Sequence, residues 1–142
     1  MLLNRVIPCL LIDKQRLVKT KCFRNPRYVG DPINAVKIFN KKKVDELILL
    51  DINVSKQKIP PDYKYIEKIA NECFMPLCYG GGISSLSEAR LLFNIGVEKV
   101  CLQSSLYGNL KLLQELANEF GSQSIVVSVD IKIGIFGRKT VS

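Results

Sequence analysis

Three consecutive glycines mark the place in this sequence where phosphate chemistry is most strongly indicated. Gly80, Gly81 and Gly82 follow a short apolar run and precede an amphipathic one, so they lie where a strand turns into a helix. Their backbone N–H groups can approach a phosphate without a clash from Cβ atoms, and the following helix N-terminus favours an anion. A strand–helix turn without a ligand is the alternative. Ser104 takes the corresponding place one unit later and is expected to complete the phosphate site.

Two aspartates are candidates for acid–base chemistry. Asp51 and Asp130 each end an apolar run. A carboxylate at the carboxyl end of a barrel strand points into the mouth of the barrel. Its pKa can be tuned there for general acid or base catalysis, and we expect Asp130 to be catalytic and Asp51 to contact substrate. A carboxylate that only caps the next loop is the alternative, and for Asp51 it is equally well supported.

The remaining charged candidates fall into two groups. Lys19 follows the first apolar run and can clamp a substrate anion, although a solvated lysine is the default interpretation. A second group precedes the apolar runs and therefore lies at the opposite end of the strands, where it can form a ring of mixed charge. Its members are Arg5, Glu46, Glu98 and Lys99. Ordinary surface ion pairs are the alternative.

The composition excludes several other kinds of chemistry. The 142 residues include no histidine, which removes His-based triads and His-ligated metals, and we expect no metal or cofactor. The cysteines form no CxxC pair and their number is odd, which favours a reducing, cytoplasmic location over a disulfide framework. They are Cys9, Cys22, Cys73, Cys78 and Cys101. The net charge of +8 suggests an anionic partner, but no basic and aromatic motif indicates nucleic acid. No apolar run approaches the ~20 residues that span a bilayer.

Alternating apolar and amphipathic segments predict the elements that position these residues. The apolar runs predict five strands, at Val6–Ile12, Glu46–Asp51, Pro76–Tyr79, Lys99–Leu102 and Ser124–Asp130. The amphipathic segments predict four helices, at Pro32–Asn40, Asp62–Cys73, Leu86–Asn94 and Leu110–Glu119. This order predicts an α/β fold with a parallel sheet and right-handed crossovers.

Three segments are predicted to lack regular structure. The long loops Asp13–Gly30 and Ile52–Pro61 both follow strands, which in an α/β barrel places them on the active face. The tail Ile131–Ser142 contains Gly134, Gly137 and Arg138 and is expected to be a loop that leads into further protein.

Together these residues resemble the cyclase subunit of imidazole glycerol phosphate synthase. The resemblance covers almost the whole chain and is carried by Arg5-Val-Ile-Pro-Cys9, Val18-Lys19, Gly30-Asp31-Pro32, Asp45-Glu46-Leu47, Leu50-Asp51-Ile52, Gly80-Gly81-Gly82-Ile83, Gly96-Val-Glu-Lys99, Phe120-Gly-Ser-Gln-Ser and Val127-Ser-Val-Asp130. It implies a TIM-type (β/α)₈ barrel built from two half-barrels. Residues 1–142 are then a single domain that forms the N-terminal half.

The resemblance also implies a function, that of a lyase in histidine biosynthesis. A glutaminase subunit would supply ammonia through the barrel, for the formation of imidazole glycerol phosphate and aminoimidazole carboxamide ribotide from a phosphorylated ribonucleotide. Asp130 would be one of two catalytic aspartates, and the glycine loop with Ser104 one of two phosphate sites. Three residues would belong to the charged ring at the ammonia entrance, namely Arg5, Glu46 and Lys99, while Glu98 would contact the glutaminase.

The sequence departs from the family pattern at several positions. Leu11 occupies the position of the catalytic aspartate on the first strand, and Asp13 lies two residues later, ~6.6 Å along a strand. Gln103 replaces an asparagine, and the chain is expected to lack the second half-barrel. Leu11 and the segment Lys21–Gly30 resemble a paralogous branch encoded with surface-polysaccharide genes.

Three functional hypotheses follow from these observations. The first is the cyclase subunit described above. The second is an ammonia-channelling component of a sugar amidotransferase in surface-polysaccharide synthesis, which Leu11 and the paralogue-like segment favour. The third is an inactive, truncated fragment, since an open half-barrel exposes strand edges.

Overall fold

A computed structural model describes residues 4–21, 24–133 and 139–141. The strands within these ranges are β1 (Cys9–Asp13), β2 (Arg16–Lys21), β3 (Arg24–Gly30), β4 (Leu47–Asp51), β5 (Leu77–Gly80), β6 (Lys99–Leu102), β7 (Ile125–Val127), β8 (Ile131–Ile133) and β9 (Lys139–Val141). The helices are α1 (Pro32–Lys42), α2 (Val54–Gln57), α3 (Tyr63–Glu72), α4 (Leu86–Asn94) and α5 (Leu110–Phe120).

Seven of these strands form one sheet, in the order β3-β2-β1-β4-β5-β6-β7. Strands β1, β4, β5, β6 and β7 run parallel, each joined to the next by a crossover that contains a helix, so the predicted α/β order of five parallel strands is confirmed. Strands β8 and β9 form a separate antiparallel pair. Within the described residues the sheet has two edges, β3 and β7, and does not close on itself.

The core lies between the parallel strands and the helices. Side chains alternate along a strand, and in β4 this alternation places Leu49 in the helix-packed core and Leu50 on the wall of a cavity. The fully buried residues of the core include Leu47, Leu49, Leu77, Tyr79, Val100 and Leu102 on the strands, and Val36, Ile66, Ile69, Leu92 and Leu116 on the helices. Strands β1, β4, β5 and β6 therefore present one face to the helices and the other to the cavity.

Two predicted strands are shorter than expected. Strand β1 begins at Cys9 and not at Val6, because Pro8 has no N–H to donate to a ladder. Its carbonyl still accepts from the Ile48 N–H at 2.9 Å, so the segment continues the pairing as irregular backbone. Strand β7 ends at Val127, three residues before Asp130.

The predicted loop Asp13–Gly30 is wrong, because most of it is a β-hairpin that extends the sheet. Strand β2 pairs antiparallel with β1 and also with β3. Lys14 and Gln15 form the turn before β2, both with positive φ (49° and 61°). Val18 lies opposite Leu11 and is buried, which ties the charged strand to the core. Cys22 and Phe23, part of the segment that resembles the paralogous branch, lie outside the described residues.

The other two segments predicted as loops are partly regular. Ile52–Pro61 contains the single helical turn α2 and is otherwise irregular, so the prediction is correct for most of its length. In the tail Ile131–Ser142, strands β8 and β9 replace part of the expected loop because their backbone groups pair with each other. Gly134, Gly137 and Arg138 lie outside the described residues.

Two features considered in the sequence, a membrane span and the cysteines, can be described for these residues. No helix among them has the length and apolar character needed to cross a bilayer. Four cysteines are described, Cys9, Cys73, Cys78 and Cys101, and all are free thiols. Cys22 is not among the residues described.

Candidate active site

A cavity of about 480 Å³ opens at the carboxyl ends of the parallel strands. Residues from β1, β2, β4 and β5, and from the segments that follow β4, β5, β6 and β7, line it. They include Leu11, Thr20, Leu50, Asp51, Ser55, Gly80, Gly81, Gly82, Gln103, Ser104, Ser105, Ser128 and Asp130. Apart from Lys19, the residues predicted from the sequence to bind substrate or to catalyse therefore share one cavity.

The glycine loop is required by packing as well as by any ligand. A Cβ on Gly81 would lie 2.6 Å from the Asp51 carbonyl oxygen, and Gly81 and Gly82 have φ of 133° and 70°. A Cβ on Gly82 would clash with Val54. L-residues rarely adopt these φ values, so the tight turn needs glycine whether or not phosphate binds.

Helix α4 begins directly after the glycine loop and is firmly capped. The Ser85 hydroxyl accepts from the Glu88 N–H at 3.3 Å, and the Glu88 carboxylate accepts from the Ser85 N–H at 3.1 Å. This capping box holds the helix N-terminus toward the loop. The positive end of the helix dipole therefore lies near the cavity, as an anion site requires.

Ser55 contributes to the same cradle and was not identified from the sequence. Its hydroxyl oxygen accepts from the Gly82 N–H at 2.9 Å, which leaves the hydroxyl proton available to a ligand. Ser55 lies on α2, within the long segment predicted to follow β4 on the active face. That prediction is the only signal in the sequence that points to this residue.

Gln103 holds Asp130 in the cavity. The Gln103 Nε2 donates to Asp130 Oδ2 at 2.7 Å. The predicted strand reached Asp130, but β7 ends at Val127 and leaves Asp130 in irregular backbone, so a side-chain contact positions its carboxylate. Pairing with β6 continues only to Ser128, whose N–H donates to the Leu102 carbonyl at 2.9 Å.

Asp51 both caps a loop and lines the cavity. Its Oδ1 accepts from the N–H groups of Asn53 at 3.0 Å and Val54 at 3.3 Å, which is the capping role that the sequence left open. Burial raises the pKa of Asp51, the two backbone donors oppose that rise, and the nearby Asp13 and Asp62 carboxylates add to it. Burial therefore makes this carboxyl group a weaker acid than a solvent-exposed aspartate.

Leu11 places an apolar side chain on the cavity wall, where the family resemblance predicts an aspartate. It pairs with Leu50 on one side and with Val18 on the other. Asp13 does not take over this position, because it is not among the cavity-lining residues. Its Oδ1 is buried and has no hydrogen-bond partner among the described residues.

Lys19 does not line the cavity. It lies on β2 between Val18 and Thr20, and Thr20 is the neighbour that reaches the cavity wall. Adjacent residues of a strand point to opposite faces. Lys19 is therefore exposed on the other face of the hairpin, where it pairs in register with Arg27.

At the opposite end of the strands, three of the four predicted ring residues form one cluster. The Glu46 side chain is only 3% exposed, and its Oε2 accepts from Arg5 Nη2 at 2.9 Å and Lys99 Nζ at 2.7 Å. These are not ordinary surface ion pairs, because the shared carboxylate is buried. Glu98 is exposed next to the cluster and has no ion pair among the described residues.

No metal centre is evident in this part of the molecule. Among the described residues, no three His, Cys, Asp or Glu side chains converge as metal ligands. The groups available in the cavity are donors to an anion, namely the glycine loop, the hydroxyl groups and the Lys56 ammonium, and two carboxylates, Asp51 and Asp130.

Comparison with known proteins identifies the family. The family model described as "Histidine biosynthesis protein" matches residues 5–142. The chain is 52% identical over 141 residues to the "Putative imidazole glycerol phosphate synthase subunit hisF2" of Pseudomonas aeruginosa, covering 99% of this chain and 56% of that protein. It is 53% identical over 139 residues to the "Putative imidazole glycerol phosphate synthase subunit hisF3" of Vibrio vulnificus, covering 98% and 54%.

A third relative, the "Imidazole glycerol phosphate synthase subunit HisF" of Exiguobacterium sibiricum, is 39% identical over 132 residues, covering 93% of this chain and 53% of that protein. The chain spans about half the length of the curated relatives it matches. Its mostly parallel α/β sheet corresponds to roughly half of a (β/α)₈ barrel. The chain belongs to the histidine biosynthesis protein family.

Proposed function

We propose that this chain is the N-terminal half-barrel of a cyclase subunit of imidazole glycerol phosphate synthase, a cytoplasmic lyase. The single domain of residues 1–142 would contribute one phosphate site and one catalytic aspartate. The observation that carries the proposal is the shared cavity, in which the glycine loop and the Asp130–Gln103 pair face the same space. Ammonia and a phosphorylated ribonucleotide would react there to give imidazole glycerol phosphate and aminoimidazole carboxamide ribotide.

The glycine loop would hold one substrate phosphate. Backbone N–H groups of Gly81 and Ile83, the hydroxyls of Ser55 and Ser104, and the N-terminus of α4 are the donors available around this position. These groups orient a phosphate without carrying a full charge. Lys56 lines the same cavity and would add a full positive charge. Binding of the phosphate, which is remote from the reacting carbon, would hold that carbon near Asp130.

Asp130 would carry out the proton transfers. The Gln103 contact engages Oδ2 and leaves Oδ1 for the substrate. A positioned carboxylate can take a proton from the attacking nitrogen and return one to the departing oxygen, which typically contributes about 10²–10⁴-fold in rate. Asp51 is the second carboxyl group on the cavity wall and would accept a hydrogen bond from the substrate.

Ammonia would enter at the opposite end of the strands, from a glutaminase subunit. Glu46, Arg5 and Lys99 would form part of the entrance, and Glu98 would contact the glutaminase. A strand of four residues separates this cluster from the cavity, a distance of about 13 Å. The names of the relatives describe subunits, which supports an assembly with a partner chain.

A second candidate function is delivery of ammonia to a sugar in surface-polysaccharide synthesis, with the same kind of glutaminase partner. The observation that favours it is Leu11, which replaces a catalytic carboxylate by an apolar wall. A cavity with this wall retains anion binding but lacks one acid–base group. It therefore suits the transfer of ammonia to a sugar better than the cyclisation of the ribonucleotide.

Turnover of the ribonucleotide with ammonium salt tests the proposal. The purified chain should form aminoimidazole carboxamide ribotide, and Asp130→Asn should reduce the rate at least ~100-fold while phosphate affinity is retained. Absence of product at high protein concentration would refute the cyclase assignment for this chain. Transfer of ammonia to a sugar, without turnover of the ribonucleotide, would favour the second candidate.

A further inference from the structure

Phe74 is the most exposed large apolar side chain in the described residues, with 88% of its surface in water. It lies between α3 and β5. Single exposed apolar residues are common and need no explanation. Phe74 differs from them in two respects: its backbone is held in place, and it lies on the face that carries the Glu46 cluster.

The Asn40 side chain fixes the backbone around Phe74. Asn40 Oδ1 accepts from the Phe74 N–H at 3.0 Å, and Asn40 Nδ2 donates to the Glu72 carbonyl at 2.7 Å. Two residues later, the Pro76 carbonyl accepts from the Leu47 N–H at 2.9 Å. Hydrogen bonds therefore fix the backbone on both sides of Phe74. Binding of its ring by a partner would cost little conformational entropy, because the segment is already ordered.

The fold places Phe74 on the same face as the charged cluster. Segments that precede parallel strands open at one edge of the sheet, and Phe74 precedes β5 as Glu46 precedes β4. Val6 and Ile7 precede β1 and are also exposed, by 59% and 38%. The backbone of Val6 is held by Asp45, through bonds of 2.6 and 3.1 Å. This amino-terminal face therefore displays three exposed apolar side chains, and hydrogen bonds hold the backbone of two of them, Phe74 and Val6.

The amino-terminal face also has an excess of positive charge. Lys41, Lys42 and Lys43 end helix α1 and lead into the segment before β4, and all three are exposed. The buried Glu46 carboxylate is already compensated by Arg5 and Lys99, so it does not offset these lysines. Asp45 and Glu98 are exposed carboxylates on the same face, and the three lysines outnumber them. A partner surface complementary to this face would combine an apolar pocket with acidic side chains.

We propose that Phe74 anchors the ammonia-supplying glutaminase subunit, by inserting its ring into an apolar pocket bordered by acidic side chains on that subunit. The identity of the partner rests on the proposed function. Aromatic side chains near the centre of an interface carry a large share of binding energy. Lys41–Lys43 accelerate association and make it sensitive to salt.

Binding of the glutaminase subunit encoded in the same genome tests this proposal by calorimetry with the full chain. Phe74→Ala is expected to weaken binding at least ~30-fold. Tyr107→Ala is the matched control, because Tyr107 is 62% exposed in the segment after β6, at the opposite face, and its loss should change affinity less than ~2-fold. Equal affinities for the two variants would overturn the proposal. Both substitutions remove exposed rings, so circular dichroism should show unchanged folding.

Turnover separates this proposal from the proposed function. With Phe74→Ala, ammonium-driven turnover should be unchanged, and glutamine-driven turnover should fall at limiting glutaminase concentration. If the unmodified chain gives no product with ammonium but Phe74→Ala still weakens binding, the cyclase assignment fails and the docking surface stands. If the unmodified chain does not bind the glutaminase, the docking proposal is overturned whatever the turnover.

Discussion

Replacement of each cation around Glu46 should have different consequences for stability. The Glu46 side chain is 3% exposed, while that of Lys99 is 26% exposed and that of Arg5 is 56% exposed. Removing one partner of a buried ion pair costs up to about 3–5 kcal/mol, because a buried charge is left uncompensated. Exposed pairs contribute only about 0–1 kcal/mol. The order of the two effects should therefore follow the exposure of the cations.

Lys99→Met should lower the free energy of unfolding by about 2–3 kcal/mol, in the range of a charged hydrogen bond. The contact is short, at 2.7 Å, and Lys99 is the more buried of the two cations. Arg5→Met should cost about 1 kcal/mol, because water screens its 2.9 Å contact. At this chain length 1 kcal/mol corresponds to a Tm change of roughly 3–4 °C. Replacing both cations should cost more than the sum of the single replacements, since Glu46 is then unpaired.

Urea unfolding followed by circular dichroism, at low and high salt, measures these differences. Lys111→Met is the control, because Lys111 is 84% exposed and pairs with Glu115 across one helical turn at 3.5 Å. Its replacement should cost less than about 0.5 kcal/mol. High salt should reduce the Arg5 effect more than the Lys99 effect. An Arg5→Met cost equal to or above that of Lys99→Met would refute the reasoning, as would a Lys99→Met cost no larger than that of the control.

Three further predictions concern the cavity. Leu11→Asp should raise ammonium-driven turnover about 10–100-fold by placing a carboxylate where the family resemblance expects the other catalytic aspartate, and unchanged steady-state rates would contradict this. Gly81→Ala should destabilise the fold by about 2–3 kcal/mol and abolish binding of inorganic phosphate, because its Cβ would lie 2.6 Å from a carbonyl oxygen. Gly108→Ala, at φ 87° in open space, is the control and should cost only about 1 kcal/mol when both variants are compared by thermal unfolding. Asp51→Asn keeps an acceptor for the loop and removes an acid whose pKa burial raises. In the unmodified chain, native Asp51 binds its proton more tightly than Asp51 of the unfolded chain does. The stability of the unmodified chain relative to Asp51→Asn should therefore fall as pH rises from about 3.8 through the raised pKa. A constant difference between the two in urea titrations at pH 4 and 7 would contradict the shift.

Periodicity predicted the parallel strands and their helices because strands packed on both faces, such as β5, are short runs of apolar residues. Strand β7 has the same apolar pattern at the open edge, although Val127 is 46% exposed there. Leu47–Leu50 and Ile125–Val127 are apolar at every position, and no other element accommodates such short runs as well. The hairpin of β2 and β3 has no such pattern. Its strands carry Arg and Lys at exposed positions, and only pairing with the edge of β1 and burial of Val18 make β2 a strand. Edge strands depend on their neighbours more than on their own residues.

For the candidate site, chain order alone determined that the glycine loop, Ser104, Asp51 and Asp130 meet, since the carboxyl ends of parallel strands share one edge. The family resemblance predicted the Glu46 cluster, and the tertiary structure showed that its carboxylate is buried. Only the tertiary structure decided that Gln103 holds Asp130, that Ser55 joins the glycine loop, and that Lys19 faces away from the cavity. The physical reason is that strand order follows from local patterns, whereas side-chain partners depend on distances between segments that are remote in sequence.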